Sequence, residues 1–155
     1  MRAPALLVLP LLVACGNAPL TGEWDYTDED VIENTCSDAI DYDGTSGAFT
    51  IDNQGDGTFI VDPLDGTEPF ACTVDKKDYT CPERVSEVLD LGGGAEAELT
   101  VSVSGEFLKK DEAIGTQTAT LTCLDAGCEA AAALVGIPSP CTIVVDFEAE
   151  WTGEL

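Results

Sequence analysis

Ile143-Val144-Val145-Asp146-Phe147-Glu148-Ala149-Glu150-Trp151-Thr152 is the stretch whose pattern decides the fold. Ile143, Val145, Phe147, Ala149 and Trp151 alternate with Val144, Asp146, Glu148, Glu150 and Thr152. Successive side chains of a strand point to opposite faces, so this segment has one apolar face and one mostly acidic face. Such one-sided strands belong to antiparallel sheets with one wet side.

The same alternation runs back along the chain. In residues 95–107, Ala97, Leu99, Val101, Val103 and Phe107 take one face, and Glu96, Glu98, Thr100, Ser102, Ser104 and Glu106 the other. Residues 115–123 set Ala119, Leu121 and Cys123 against Thr116, Thr118, Thr120 and Thr122. Shorter strands fill the first half, where Trp24 and Tyr26 share a face. Phe49 and Ile51 precede Asn53-Gln54-Gly55-Asp56-Gly57, and Phe59 and Val61 follow it, as in a hairpin around a Gly-containing turn. Phe70, Cys72 and Val74 precede Lys76-Lys77, and Tyr79 and Cys81 follow, as in a tighter hairpin. Residues 82–91 fit either a helix or a strand, and Gly92-Gly93-Gly94 ends both. Residues 129–135 are Ala-rich and followed by Gly136 and Pro138, which predicts one short helix and its stop. About eight strands joined mainly to sequence neighbours predict an all-β domain, either an antiparallel up-and-down barrel or a compact sandwich.

The amino terminus predicts export. Arg2 precedes an apolar run from Leu6 to Ala14 that is shorter than the roughly 20 residues needed to span a bilayer. A charged start, a short apolar run and small residues at its end read as a secretory signal. Its last residues, Leu12-Val13-Ala14-Cys15, resemble the lipobox of bacterial lipoproteins. That resemblance implies removal of residues 1–14 and a lipid on Cys15. It also implies a membrane partner through that lipid, with residues 15–19 as a short tether and residues 20–155 as one β domain. Gly16 and Asn17 follow the cysteine, and the absence of an aspartate there favours the outer membrane over the inner one.

Cysteine arithmetic agrees with a lipid at Cys15. The chain has 7 cysteines, and an odd count in an exported protein leaves one without a partner. Setting Cys15 aside leaves Cys36, Cys72, Cys81, Cys123, Cys128 and Cys141 for disulfides. A two-residue turn at Lys76-Lys77 aligns Val74 with Tyr79, Thr73 with Thr80 and Cys72 with Cys81. Hydrogen-bonded and non-hydrogen-bonded pairs alternate outward, so Cys72 and Cys81 fall where side chains are closest and a bridge is expected. The pairing of Cys36, Cys123, Cys128 and Cys141 stays open on sequence.

Charge excludes several functions. The net charge of −24 becomes −25 when Arg2 is lost, and the only bases left are Lys76, Lys77, Arg84, Lys109 and Lys110. Nucleic-acid binding depends on basic groups that neutralise phosphates, so it is not expected. The same charge argues against a domain lying flat on anionic head groups. Without any histidine the usual base of a nucleophilic triad is missing. No Cys-x-x-Cys pair marks a zinc site, and the many carboxylates give no specific glycosidase signal. Asp52-Asn53-Gln54-Gly55-Asp56-Gly57 is similar to the start of an EF-hand loop, but the twelfth position is Pro63 and the flanks read as strands. A second acidic cluster, Asp25, Asp28, Glu29 and Asp30, reads as a loop with weak cation-binding capacity. No cofactor and no metal ligand set are expected.

Leu20-Thr21-Gly22-Glu23-Trp24 resembles the Gly-x-Trp opening of lipocalins and the related opening of avidin-like barrels. Both families are eight-stranded antiparallel barrels with ligand-binding interiors. The departures are clear: residues 142–155 lack the arginine that lipocalins commonly place under that tryptophan, and Trp24 and Trp151 are the only tryptophans. The resemblance therefore implies a barrel and no particular ligand. The expected function is a non-enzymatic envelope lipoprotein that binds a small apolar ligand or another envelope component. The alternative is a structural or surface protein with low-affinity calcium sites.

Overall fold

The computed structural model describes residues 18–37 and 44–154. The expected signal segment and Cys15 lie outside the described residues. The elements are β1 (Gly22–Asn34), β2 (Ser46–Asn53), β3 (Thr58–Asp62), β4 (Phe70–Asp75), β5 (Asp78–Gly92), β6 (Ala95–Phe107), β7 (Glu112–Cys123), α1 (Ala126–Val135) and β8 (Cys141–Gly153). Each strand pairs antiparallel with the next and β8 returns to β1, so the 8 strands form a closed barrel. Of barrel and sandwich, the barrel is the architecture adopted.

The tight hairpin has the register its turn dictates: Asp75 faces Asp78, Val74 faces Tyr79 and Thr73 faces Thr80. Cys72 is bonded to Cys81, Cys36 to Cys141 and Cys123 to Cys128. Residues 82–91 are strand, part of β5. Register shifts between Cys81 and Arg84 and between Val85 and Glu87 break their alternation. The acidic cluster expected in a loop is corrected as well, because Asp25, Asp28, Glu29 and Asp30 all lie within β1.

The helix starts at Ala126 rather than near residue 129, because Asp125 caps it. The Asp125 carboxylate accepts hydrogen bonds from the backbone N–H of Gly127 at 2.7 Å and of Cys128 at 2.9 Å. Its other oxygen accepts from Glu96 N at 2.6 Å, which joins the helix start to β6. Gly136 ends the helix in the left-handed conformation, φ 74°, where a side chain would be strained. Cys128 then packs on Ala95 and Ala97 of β6.

The wall of the barrel is uneven in height. β2, β3 and β4 have 8, 5 and 6 residues, whereas β5 to β8 have 12 to 15. At roughly 3.3 Å per residue the tall side rises more than twice as far as β3. The two ends also differ. One is defined by the turns 54–57, 76–77 and 108–111 and receives the entering chain. The other carries the connections 63–69, 93–94 and the α1 segment.

The first of these ends is closed. Trp24, Phe59 and Phe107 are fully buried there, with Phe107 ring centroids 6.0 Å from Trp24, 5.6 Å from Phe59 and 4.8 Å from Tyr79. Edge-on and tilted contacts of this kind add to the area term of burial. Residues 18–21 cross this end. The side chain of Asn53 donates to Pro19 O at 2.7 Å, Leu20 N to Lys110 O at 2.9 Å, and Trp24 Nε1 to Leu20 O at 3.1 Å. The backbone of the plug is thus tied to the turns around it.

Candidate ligand-binding cavity

Above this aromatic floor the barrel encloses a cavity of about 450 Å³ that opens at the opposite end. Eight strands give an interior just wide enough to be filled by side chains or to hold one small ligand. Which outcome holds depends on side-chain volume. On β6, β7 and β8 the lining residues include Val101, Val103, Ala113 and Ala149, which are small. The facing wall supplies Tyr26, Phe49, Phe59 and Phe70. Phe107 and Phe147 also line it from β6 and β8, and the rings together do not fill the space that the small residues leave.

Two glycines set the depth of the wall. Gly105 of β6 lies opposite Gly115 of β7. A Cβ on Gly115 would lie 2.3 Å from Tyr79 Oη and 2.7 Å from Phe147 Cζ, so only glycine lets both rings lie against the sheet. Tyr79 Oη donates to Ile114 O at 3.2 Å, and burial pushes its hydroxyl far above the ordinary tyrosine range. A buried phenol with its proton engaged serves as structure.

Polar groups gather toward the mouth: Asp28, Asp65, Arg84, Ser86 and Gln117 line the cavity with the apolar residues. The Arg84 guanidinium carbon sits 4.0 Å from the centre of the Phe70 ring. Cation–π contact of this kind holds the planar group flat against the wall. Burial pulls the Arg84 pKa below its ordinary value, and the Asp65 carboxylate opposes that pull. Asp65 itself accepts from Thr67 Oγ1 at 2.7 Å and Thr67 N at 2.8 Å, which holds its carboxyl below the usual range. Asp28 Oδ2 accepts from Thr45 Oγ1 at 2.6 Å and Thr45 N at 3.0 Å. The arrangement suits a largely apolar guest with a hydrogen-bonding group at its outer end.

The residues singled out on sequence fall in three places. Trp24, Cys72 and Cys81 belong to the buried cluster, and Trp24 and Cys81 also line the cavity. Cys36, Cys123, Cys128 and Cys141 sit toward the open end, away from that cluster. The residues that resemble a calcium loop form a turn stitched to itself: Asn53 Oδ1 accepts from Gly55 N at 3.0 Å, and Asp56 Oδ1 accepts from Thr58 Oγ1 at 2.5 Å and Thr58 N at 3.0 Å. Among the described residues no group of three or more histidine, cysteine, aspartate or glutamate side chains could hold a metal ion.

Asp65, Arg84, Ser86 and Gln117 are polar lining residues to which sequence reasoning gave no role. Arg84 was legible only as one of few bases, because the register shift before it hides which way it points. The facing pair Gly105 and Gly115 had a usable signal, two glycines inside otherwise regular strands, where glycine often marks close approach by another group. Comparison of the chain with known protein families and with characterised proteins finds no match.

Proposed function

We propose that this chain is a non-enzymatic lipoprotein, anchored in the cell envelope through a lipid on Cys15, whose barrel holds one small apolar ligand. The observation that carries the ligand reading is the open apolar cavity of about 450 Å³, within the span of roughly 300–1,000 Å³ usual for small-molecule sites. Support for the anchor is the lipobox resemblance at residues 12–15 and the even number of cysteines that remains when Cys15 is set aside. The outer membrane is the proposed destination, since no aspartate follows Cys15.

The test uses the soluble domain that begins after Cys15, produced in an oxidising compartment. Its native mass spectrum should show a retained small molecule, or the protein should take up an apolar naphthylamine dye with a blue-shifted emission. Val103→Trp places an indole in the cavity and should abolish uptake while the β-sheet circular dichroism is kept. A bare mass together with no dye uptake by the wild type overturns the ligand reading. Repeating the spectrum with calcium separates a cation effect from ligand retention.

A further inference from the structure

The polar residues without rings that line the cavity, Asp28, Asp65, Arg84, Ser86 and Gln117, divide into two sets. Asp28 and Asp65 are engaged within the fold, their carboxylates accepting from Thr45 and Thr67. Arg84, Ser86 and Gln117 are not. Among the described residues, none of these three side chains takes part in a hydrogen bond or an ion pair, although all three are half-buried. None of their polar atoms is sealed from solvent without a partner, so these atoms are open to the cavity.

The three rise along one wall. Gln117 of β7 faces Val103 of β6, two residues above Gly115 and the rings packed on it. Arg84 of β5 faces Val101 of β6, one inward position higher, and Ser86 follows further up β5. The Phe70 ring takes the flat face of the Arg84 guanidinium. The N–H groups lie in the plane of that group and stay available. Arg84 can only donate, and the Ser86 hydroxyl and Gln117 amide can donate as well.

Charge is compensated on this wall while hydrogen bonding is not. The lining sets one base, Arg84, against two acids, in a chain of net charge −24. Burial disfavours the Arg84 charge, and the Asp65 carboxylate offsets part of that. An anionic guest would add negative charge where acids already outnumber the base. A cationic guest would meet Arg84 and offer no lone pair to the three donors. A pure hydrocarbon would strip water from these groups and return no hydrogen bond, which is unfavourable for each. A carbonyl oxygen accepts hydrogen bonds and brings no charge.

We propose that the guest is an uncharged amphiphile, an apolar chain or ring that carries a carbonyl group, as in an ester, amide or ketone, and that its acceptor oxygens are held on the wall formed by Gln117, Arg84 and Ser86. The proposal rests on the ligand-binding reading of the barrel. The rings and small residues hold the apolar part, and the three donors select the end group. A site built to hydrogen-bond its ligand discriminates strongly against an analogue that lacks the partner, because its donors are then left unpaired.

The test uses residues 16–155, which contain the whole closed barrel and its bridging cysteines, with the naphthylamine dye bound. Displacement by methyl decanoate, decanoic acid and decylamine at neutral pH compares one chain with three end groups. The ester should displace the dye at a concentration about tenfold below either charged probe. Gln117→Leu, with its β-sheet circular dichroism kept, should weaken the ester about tenfold relative to the dye in the same variant. Asp65→Asn keeps an oxygen for Thr67 but removes an acid near Arg84, so it should close most of the gap between acid and ester. This second variant carries the test if Gln117→Leu does not fold. Stronger displacement by the acid or the amine, or by none of the three probes, overturns the carbonyl assignment and leaves a ligand-binding barrel. So does an ester affinity unchanged in Gln117→Leu, or a gap unchanged in Asp65→Asn. Absence of dye uptake by the wild type overturns the ligand reading and the carbonyl assignment with it.

Discussion

At the closed end, Trp24, Phe59 and Phe107 are buried against one another and residues 18–21 lie across them. At the open end the tall strands run on past their short neighbours, and two disulfides tie connecting segments to them. The exposed large apolar side chains follow the same division. Among the described residues, Val31, Ile32, Leu64, Val85, Val88, Leu91, Leu124, Leu134 and Val135 lie toward the open end, and only Leu108 lies at the other. The difference teaches that one sheet uses two sources of stability. Where the barrel is full, burial of aromatic area holds it. Where it must stay open, packing is given up and the Cys36–Cys141 and Cys123–Cys128 bridges stand in for it, while Cys72–Cys81 adds to the packed end.

The comparison can be broken most sharply at the open end. Cys36 and Cys141 are 105 residues apart, and on the chain-entropy model a loop of that length stabilises by about 5 kcal/mol. Cys36→Ala with Cys141→Ala should lower the urea midpoint by a corresponding amount. Loss of Cys123–Cys128, with a separation of 5, should cost only about 2 kcal/mol on the same model. If the two double variants lose equal stability, loop closure is not what these bridges contribute.

At the closed end Trp24→Ala should cost about 4 kcal/mol in denaturant unfolding, the usual range for deleting a buried aromatic side chain. Hydrogen exchange should then rise at the turns 54–57, 76–77 and 108–111 before it rises at α1. A uniform rise would mean that the ends are not separate in stability.

The smallest expected effect sharpens the contrast by pH. Asp125 is held below the usual carboxylate range by the backbone N–H of Cys128, then of Glu96 and Gly127. Its folded value lies below its unfolded one, so the stability it contributes is complete above about pH 4 and is lost as pH falls through the folded value. Asp125→Ala should lower the melting temperature modestly at neutral pH, and the gap between variant and wild type should narrow in acid. A gap independent of pH would mean that the ionised carboxylate is not the source of the lost stability.

Much of this fold was legible for a definite reason. In β6, β7 and β8 one face lies inside the barrel and the other in water, so apolar and polar residues alternate. The outer part of β1 was misread because it rises beyond the short wall, where both faces are wet. Asp28 is half-buried and residues 29–33 are exposed within the strand, so no alternation marks an inner face there. The cavity was less legible than the strands. Periodicity tells which residues point inward, but whether they fill the interior depends on volumes summed across strands distant in sequence. The pairing of Cys36 with Cys141 depends likewise on the β1–β8 register, which closes the barrel across nearly the whole chain.

That last seam has a mechanical consequence. β1 and β8 run antiparallel, with Glu23 facing Gly153 at the closed end and Asn34 facing Ile143 at the other. A pull between the two ends of the chain loads this seam at one tip, so its bonds open singly, as a zipper does, rather than sharing the load in shear. The tear travels from the closed end toward Asn34 and meets the Cys36–Cys141 bridge just beyond it. The bridge is a covalent stop, placed where the opening seam would otherwise release the whole strand.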